Sequence, residues 1–141
     1  MMFKFERELV VEWGDCDPAG IVYNPRFLAY FDTSTGLLLA AATGMPKPQM
    51  IKTYDIIGIP IVKASQTFSA PARYYDAVVI RSEVTKVGRA SFDIRHRLFK
   101  DEGLCVEGEE TRVWTARDPE TGKLGSRPLP DEVSARLRGE G

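Results

Sequence analysis

The chain has 141 residues, 43% of them apolar, with 19 basic against 20 acidic side chains and a formal net charge of −1. That length fits one domain, 1–141, with one sizeable core. The balanced charge excludes a footprint for nucleic acid or for an anionic membrane surface, and the apolar run Leu37–Ala42 is far too short to span a bilayer. Nothing near the N-terminus has the form of a signal peptide, and Cys16 and Cys105 make no disulfide scaffold. A cytoplasmic protein is expected.

Phe3, Phe5, Leu9, Val11 and Trp13 recur at period two, with Lys4, Glu6, Glu8 and Glu12 between them. This predicts a half-buried strand, interrupted on its apolar face by Arg7. From Trp13 to Pro25 come two glycines, two prolines and two aspartates, which enforce a defined irregular path. Pro25 suits the first turn of a helix, and Asn24 before it is an N-cap candidate. The segment from about Asn24 to Thr43 then reads as a helix, apolar most of the way round and therefore central and buried. Gly36 within it suggests close packing against another element. Gly44, Pro46 and Pro48 end the helix.

Gln49 to Tyr54 reads as a short helix. An extended run follows from Ile61 to about Tyr74, with Pro71 suggesting an edge or bulge. Strands are expected from Asp76 to Val87, from Ser91 to Lys100 and from Leu104 to Arg117. Gly88-Arg89-Ala90 and Asp101-Glu102-Gly103 form the turns between them. Asp118–Gly122 is a further turn, and Pro130 to Arg138 a short C-terminal helix. One long helix followed by sequential strands gives an α+β fold in which an antiparallel sheet wraps the helix.

The strongest chemical feature is the loop. It delivers carboxylates to a helix start, where free N–H groups create a positive field. A lone Asp-Pro is an ordinary turn former. Two carboxylates dense in Gly and Pro beside an apolar helix point to function instead. Asp17, deeper in the loop, is the candidate for chemistry, and Asp15 fixes the loop by hydrogen bonds. Cys16 would need a paired histidine to act as a nucleophile. The only histidine, His96, alternates with apolar residues in a strand and reads as a satisfied sheet residue. One His and two separated Cys make no zinc set, and no nucleotide-binding glycine loop is present. Arg89, with Lys86 and Ser91 around it, is a small basic patch that composition alone assigns to a solvated hairpin tip.

The stretch Gly14-Asp15-Cys16-Asp17-Pro18-Ala19-Gly20-Ile21-Val22-Tyr23, followed by Pro25 and Phe27, resembles the signature of the 4-hydroxybenzoyl-CoA thioesterase family of hot-dog-fold proteins. Gly58–Val62, Phe68–Asp76 and Arg89–Phe92 fit the same pattern, so the resemblance covers roughly residues 5 to 117. It implies a hot-dog fold, a curved five-stranded antiparallel sheet around one long central helix. It also implies a homodimer joined across the edge strand that begins near Ile61, assembled further into a homotetramer. The implied activity is hydrolysis of acyl-CoA thioesters without metal or redox cofactor. By motif position, Asp17 matches the catalytic carboxylate and the Asn24 backbone N–H the donor that polarises the thioester carbonyl. Tyr23 is implied to bind substrate, Ile59 and Pro60 to contact the acyl part, and Arg89 and Ser91 the CoA nucleotide. Asn24 stands where the hydroxybenzoyl enzymes carry a tyrosine, Leu28 where they carry a polar side chain, and the Arg89 tip is less basic. These departures leave other aromatic, or short aliphatic, acyl groups open. Two further functions on this fold are open as well: a non-catalytic acyl-CoA-binding module, and a hydratase or dehydratase acting through histidine.

Overall fold

Alternation along the chain becomes one antiparallel sheet. The computed structural model describes residues 1–140. Its strands are β1 (Lys4–Val10), β2 (Ile61–Phe68), β3 (Ala77–Val87), β4 (Ser91–Lys100) and β5 (Gly103–Val113), in the spatial order β1-β3-β4-β5-β2. Every neighbouring pair is antiparallel. Val78, Ile80, Ser82 and Val84 of β3 are buried, as are Phe92, Ile94, His96 and Leu98 of β4. Period two thus turns one face of the sheet toward helix α1 (Pro25–Thr43). This is the hot-dog arrangement.

α1 is buried along one stripe: Phe27, Phe31, Ser34, Thr35, Leu38, Leu39 and Ala42. Its outer side is open, with Leu28 and Leu37 each 41% exposed. The expectation of a helix buried all round is therefore corrected for a single chain. Gly36 likewise has nothing within 4 Å of where its Cβ would stand. Gly44 ends the helix as expected. The close approach falls elsewhere: a Cβ on Gly108 of β5 would lie 2.7 Å from ring carbons of Phe31. Only glycine lets that ring lie flat on the sheet, where it stacks on His96 at 4.9 Å.

Strand boundaries differ from the sequence expectation, beginning with β1, which ends at Val10 while Trp13 opens a 3-10 turn. β2 stops at Phe68, because the Ser69 and Ala70 N–H groups both donate to the Cys105 carbonyl and turn the chain before Pro71. The last strand breaks at Trp114, whose N–H leaves the ladder for the Ala90 carbonyl. Beyond the break, β6 (Thr115–Arg117) pairs with β7 (Leu124–Ser126), a strand the sequence did not announce. The helices α2 (Lys47–Tyr54) and α3 (Asp131–Leu137) close one end of the core around Trp114 and Leu38. A second apolar cluster, including Phe27, Phe31, Ile80 and Leu98, fills the other end. No helix among the described residues is long and apolar enough to cross a membrane.

Candidate active site

The loop after β1 is a small, heavily bonded hairpin. A single turn of 3-10 helix at Trp13–Asp15 opens it. Cys16 then bridges to Val22, the Asp17 N–H donates to the Ile21 carbonyl and the Gly20 N–H to the Asp17 carbonyl. Gly20 makes that reversal at φ 81°, where a side chain would be strained. Val22 N–H donates to the Ala72 carbonyl and Tyr74 N–H to the Gly20 carbonyl, pinning the hairpin to the segment after β2.

Within this frame Asp17 is half-buried, and its Oδ1 accepts the Ala19 N–H at 2.8 Å. That Asx bond is the turn-former chemistry weighed from sequence, and it also fixes the carboxylate's orientation. Among the described residues no protein donor meets Oδ2. Asp15 is tied more firmly. Its carbonyl accepts the Tyr23 N–H, and its Oδ2 accepts the Tyr30 hydroxyl at 2.8 Å. Burial, the hydrogen bond and the negative charge of Asp15 push the Tyr30 phenol well above its usual range, so it stays a donor. Arg7 reaches across from β1 to the Tyr30 carbonyl and to Ser34 Oγ, which explains the polar interruption in the first strand. Cys16 is no ready thiolate. Desolvation first, then the charges of Asp15, Asp17 and Asp76, push its thiol up.

The start of α1 departs from the expected cap. Asn24 has helical φ and ψ, and its side chain makes no capping bond. The first turn tightens instead through bonds from Arg26 N–H to the Tyr23 carbonyl and from Phe27 N–H to the Asn24 carbonyl. Pro25 has no N–H, and among the described residues no backbone carbonyl accepts the Asn24 N–H. A free donor thus stands at the helix start, two residues beyond the loop's Val22 bridge, with Tyr23 exposed beside it. Such a donor can stabilise a developing oxyanion.

The other candidate residues lie elsewhere. Ile59 is buried and Pro60 exposed, and the Pro60 carbonyl accepts the Val113 N–H. Ser91 pairs with Val113, and the Arg89 carbonyl accepts the Leu129 N–H. These four residues gather at the end of the sheet where β2 begins. The Asp17 hairpin sits by the end of β2, where Phe27 meets Phe68 at 5.9 Å. The eight residues of β2 lie between, a span of roughly 25 Å at about 3.3 Å per residue. One chain brings Asp17, Tyr23 and Asn24 together, and brings Ile59, Pro60, Arg89 and Ser91 together, but does not join the two groups.

Between the two apolar clusters runs a buried polar seam that the sequence reading missed. His96 Nδ1 lies 2.6 Å from Ser82 Oγ, and Nε2 lies 3.0 Å from Thr35 Oγ1 and 3.3 Å from Glu110 Oε1. Thr35 also donates to Glu110. Arg112 donates from Nε to Glu110 at 3.0 Å, from Nη1 to the Ile59 carbonyl at 3.0 Å and from Nη2 to Asp32 at 2.8 Å. Burial pushes Glu110 up, but bonds from His96, Arg112 and Thr35 outweigh it and hold the carboxyl below its usual range. His96 is thus the satisfied sheet histidine expected, occupied on both ring nitrogens. The available signal was Gly108, Glu110 and Arg112 at alternate positions, which only register reveals as inward-facing. Among the described residues no cluster of His, Cys, Asp or Glu could hold a metal ion.

Comparison with known proteins adds an independent line. The model of the thioesterase-like superfamily matches residues 11–137. The 4-hydroxybenzoyl-CoA thioesterase of Pseudomonas sp. (strain CBS-3) is 31% identical over 115 residues, covering 78% of this chain and 82% of that one. Its solved structure superposes with a TM-score of 0.85 at 28% identity, over 94% of this chain and 98% of that one. A 4-hydroxybenzoyl CoA thioesterase variant with one Asp changed to Asn, complexed with 4-hydroxybenzoyl CoA, matches with a TM-score of 0.85 at 26% identity, over 96% and 99% of the two chains. A 1,4-dihydroxy-2-naphthoyl-CoA hydrolase of Synechococcus elongatus is 28% identical over 96 residues, 68% of each chain. A gentisyl-coenzyme A thioesterase structure matches at TM-score 0.79 with 31% identity, over 92% of this chain and 98% of that one. On its matched residues, its fold and these relatives, the chain belongs to the thioesterase-like superfamily.

Proposed function

We propose that this protein hydrolyses an acyl-CoA thioester to the free acid and CoA, with Asp17 as the reacting carboxylate and the Asn24 N–H as the oxyanion donor. The observation that carries this reading is the hairpin itself: a carboxylate oriented through one oxygen, with the other unoccupied, at the start of a helix whose first N–H is free. A thioester carbonyl has little resonance stabilisation, so a carboxylate and one well-placed donor suit it. Either Asp17 attacks the carbonyl carbon, the C–S bond breaks to release CoA, and water opens the mixed anhydride. Or Asp17 takes a proton from the water that attacks.

The active unit is two copies. β2 is an edge strand with an exposed outer side, and Val62 and Phe68 are 60% and 48% exposed. Two-fold pairing of β2 with a second β2, antiparallel, sets the Phe68 end of one strand against the Ile61 end of the other. The partner's Ile59 and Pro60 then approach Asp17, Tyr23 and Asn24, and the open face of α1 is covered. Arg89 and Ser91 contact the CoA nucleotide, and the dimers assemble further into a tetramer. The relatives named above act on CoA esters of hydroxylated aromatic acids, which favours an aromatic over a short aliphatic acyl group here.

Release of free CoA from a panel of aromatic and aliphatic acyl-CoAs, followed with a thiol reagent, tests this reading. Turnover of at least one aromatic member, abolished by Asp17→Ala, is expected. Binding without release would make the protein an acyl-CoA-binding module instead. In a single turnover in heavy-oxygen water, label in Asp17 identifies the anhydride route, with water opening the anhydride at the aspartyl carbon.

A further inference from the structure

We infer that Arg112 is a positioning residue that fastens the catalytic helix to the acyl-binding loop and, in the two-copy enzyme, links the two active sites. This rests on the composite site proposed above. Arg112 is only 5% exposed, yet its guanidinium serves three different elements. Nε holds Glu110 of its own strand, Nη2 holds Asp32 on α1, and Nη1 holds the Ile59 carbonyl just before β2. Glu110 returns to α1 through Thr35. The planar fork of arginine makes such a three-way tie, and a lysine ammonium on a flexible stem does not reproduce it.

Stability alone gives a poor reason for the arrangement. A buried charge pair is often matched or bettered by apolar residues of the same volume. Placement gives a better one. Asp32 lies two turns along α1 from Asn24, on the outer side that also carries Leu28, and its side chain is 54% exposed. Ile59 heads the loop that meets the other copy's Asp17. In each chain, therefore, one arm of Arg112 steadies the helix of its own Asp17 site, and another steadies the loop that the second site borrows. Loosening the first arm disturbs the oxyanion donor and the carboxylate. Loosening the second disturbs only the acyl contact.

Mixed dimers with two affinity tags separate the arms. In the first, one copy carries Arg112→Lys and the other Asp17→Asn. The single live site then has an intact loop and an unfastened helix. Its kcat should fall by up to about 100-fold, the scale of a small misplacement of reacting groups, with KM unchanged. In the second, a wild-type copy is paired with one carrying both Asp17→Asn and Arg112→Lys. Its live site has a fastened helix and a loose loop, so KM for the acyl-CoA should rise with kcat unchanged. The reference is the wild-type and Asp17→Asn mixed dimer. A merely structural role would move both parameters alike or neither, and either result overturns the proposal. Asp32→Ala, at a half-exposed position that tolerates change, cuts the helix arm alone and should reproduce the first pattern if Arg112→Lys folds poorly. Should the Asp17→Asn homodimer remain active, the reading of Asp17 as the reacting carboxylate fails. Should it be inactive while both mixed dimers match the reference, only the linkage fails.

Discussion

The Asp17 hairpin and the Arg112 seam are both built from carboxylates and hydrogen bonds, yet they solve opposite problems. The hairpin is shallow; backbone bonds a few residues apart shape it, and two more pin it to the segment after β2. Among the described residues it leaves one carboxylate oxygen and one N–H without a protein partner. The seam is buried, joins residues up to 80 positions apart, and leaves none of His96, Thr35 or Ser82 without a partner. A site that must meet substrate keeps valences open and takes its rigidity from local turns. A seam that must hold a helix on a sheet closes every valence, because an unpaired group there costs more than it does at the surface.

The largest expected effect separates the two regions cleanly. Asp17→Asn should lower turnover by a factor of roughly 1000 or more while leaving the thermal midpoint nearly unchanged. Asn keeps an Oδ1 acceptor for the Ala19 N–H, so a large loss of stability in that variant would contradict this separation. Glu110→Ala should do the reverse. It strands Arg112 and His96, and denaturant melts should show a loss of about 3–5 kcal/mol. Gly108→Ala drives a methyl into the Phe31 ring that covers His96, for which about 1–3 kcal/mol is expected from the same melts. Tyr30→Phe removes the tie between α1 and Asp15 and should cost about 1 kcal/mol of stability, with a measurable fall in kcat because the hairpin loosens.

The pH dependence of stability sharpens the contrast further. Glu110 is held below its usual range by its partners, and so are Asp76, bonded to Arg73 N–H and Lys100, and Glu83, bonded to Arg95. A carboxyl lowered in the folded state stabilises above its unfolded pKa, and that stability disappears as pH falls through the folded value. Denaturation midpoints should therefore drop on acidification below the ordinary carboxylate range. Glu110→Gln should flatten the slope in proportion to the seam's share.

How much of this was legible follows from the same contrast. The hairpin announced itself because glycine, proline and aspartate act locally, and the Ala19 bond to Asp17 spans two residues. The strands around Val78 and Phe92 were legible from period two. The seam was not. Glu110 and Arg112 look like the polar side of a strand until the pairing of His96 with Ser82 and Gly108 fixes which way they face. The helix was misjudged for a related reason. Leu28, Leu37 and Gly36 form an apolar outer side, and composition does not distinguish a side that faces the core from one that a single chain leaves open. β7 escaped because Leu124-Gly125-Ser126 is too short and too rich in small residues to carry a pattern.

The composite site is tested most directly by complementation. One copy carries Asp17→Asn; the other carries Pro60→Trp, which blocks the acyl loop and leaves Asp17 intact. Each homodimer should be inactive. Mixed and re-equilibrated, they should regain roughly a quarter of wild-type turnover, because about half of randomly paired dimers hold one site with both halves intact. An active Pro60→Trp homodimer, or a mixture no more active than its components, would contradict a site shared between two copies.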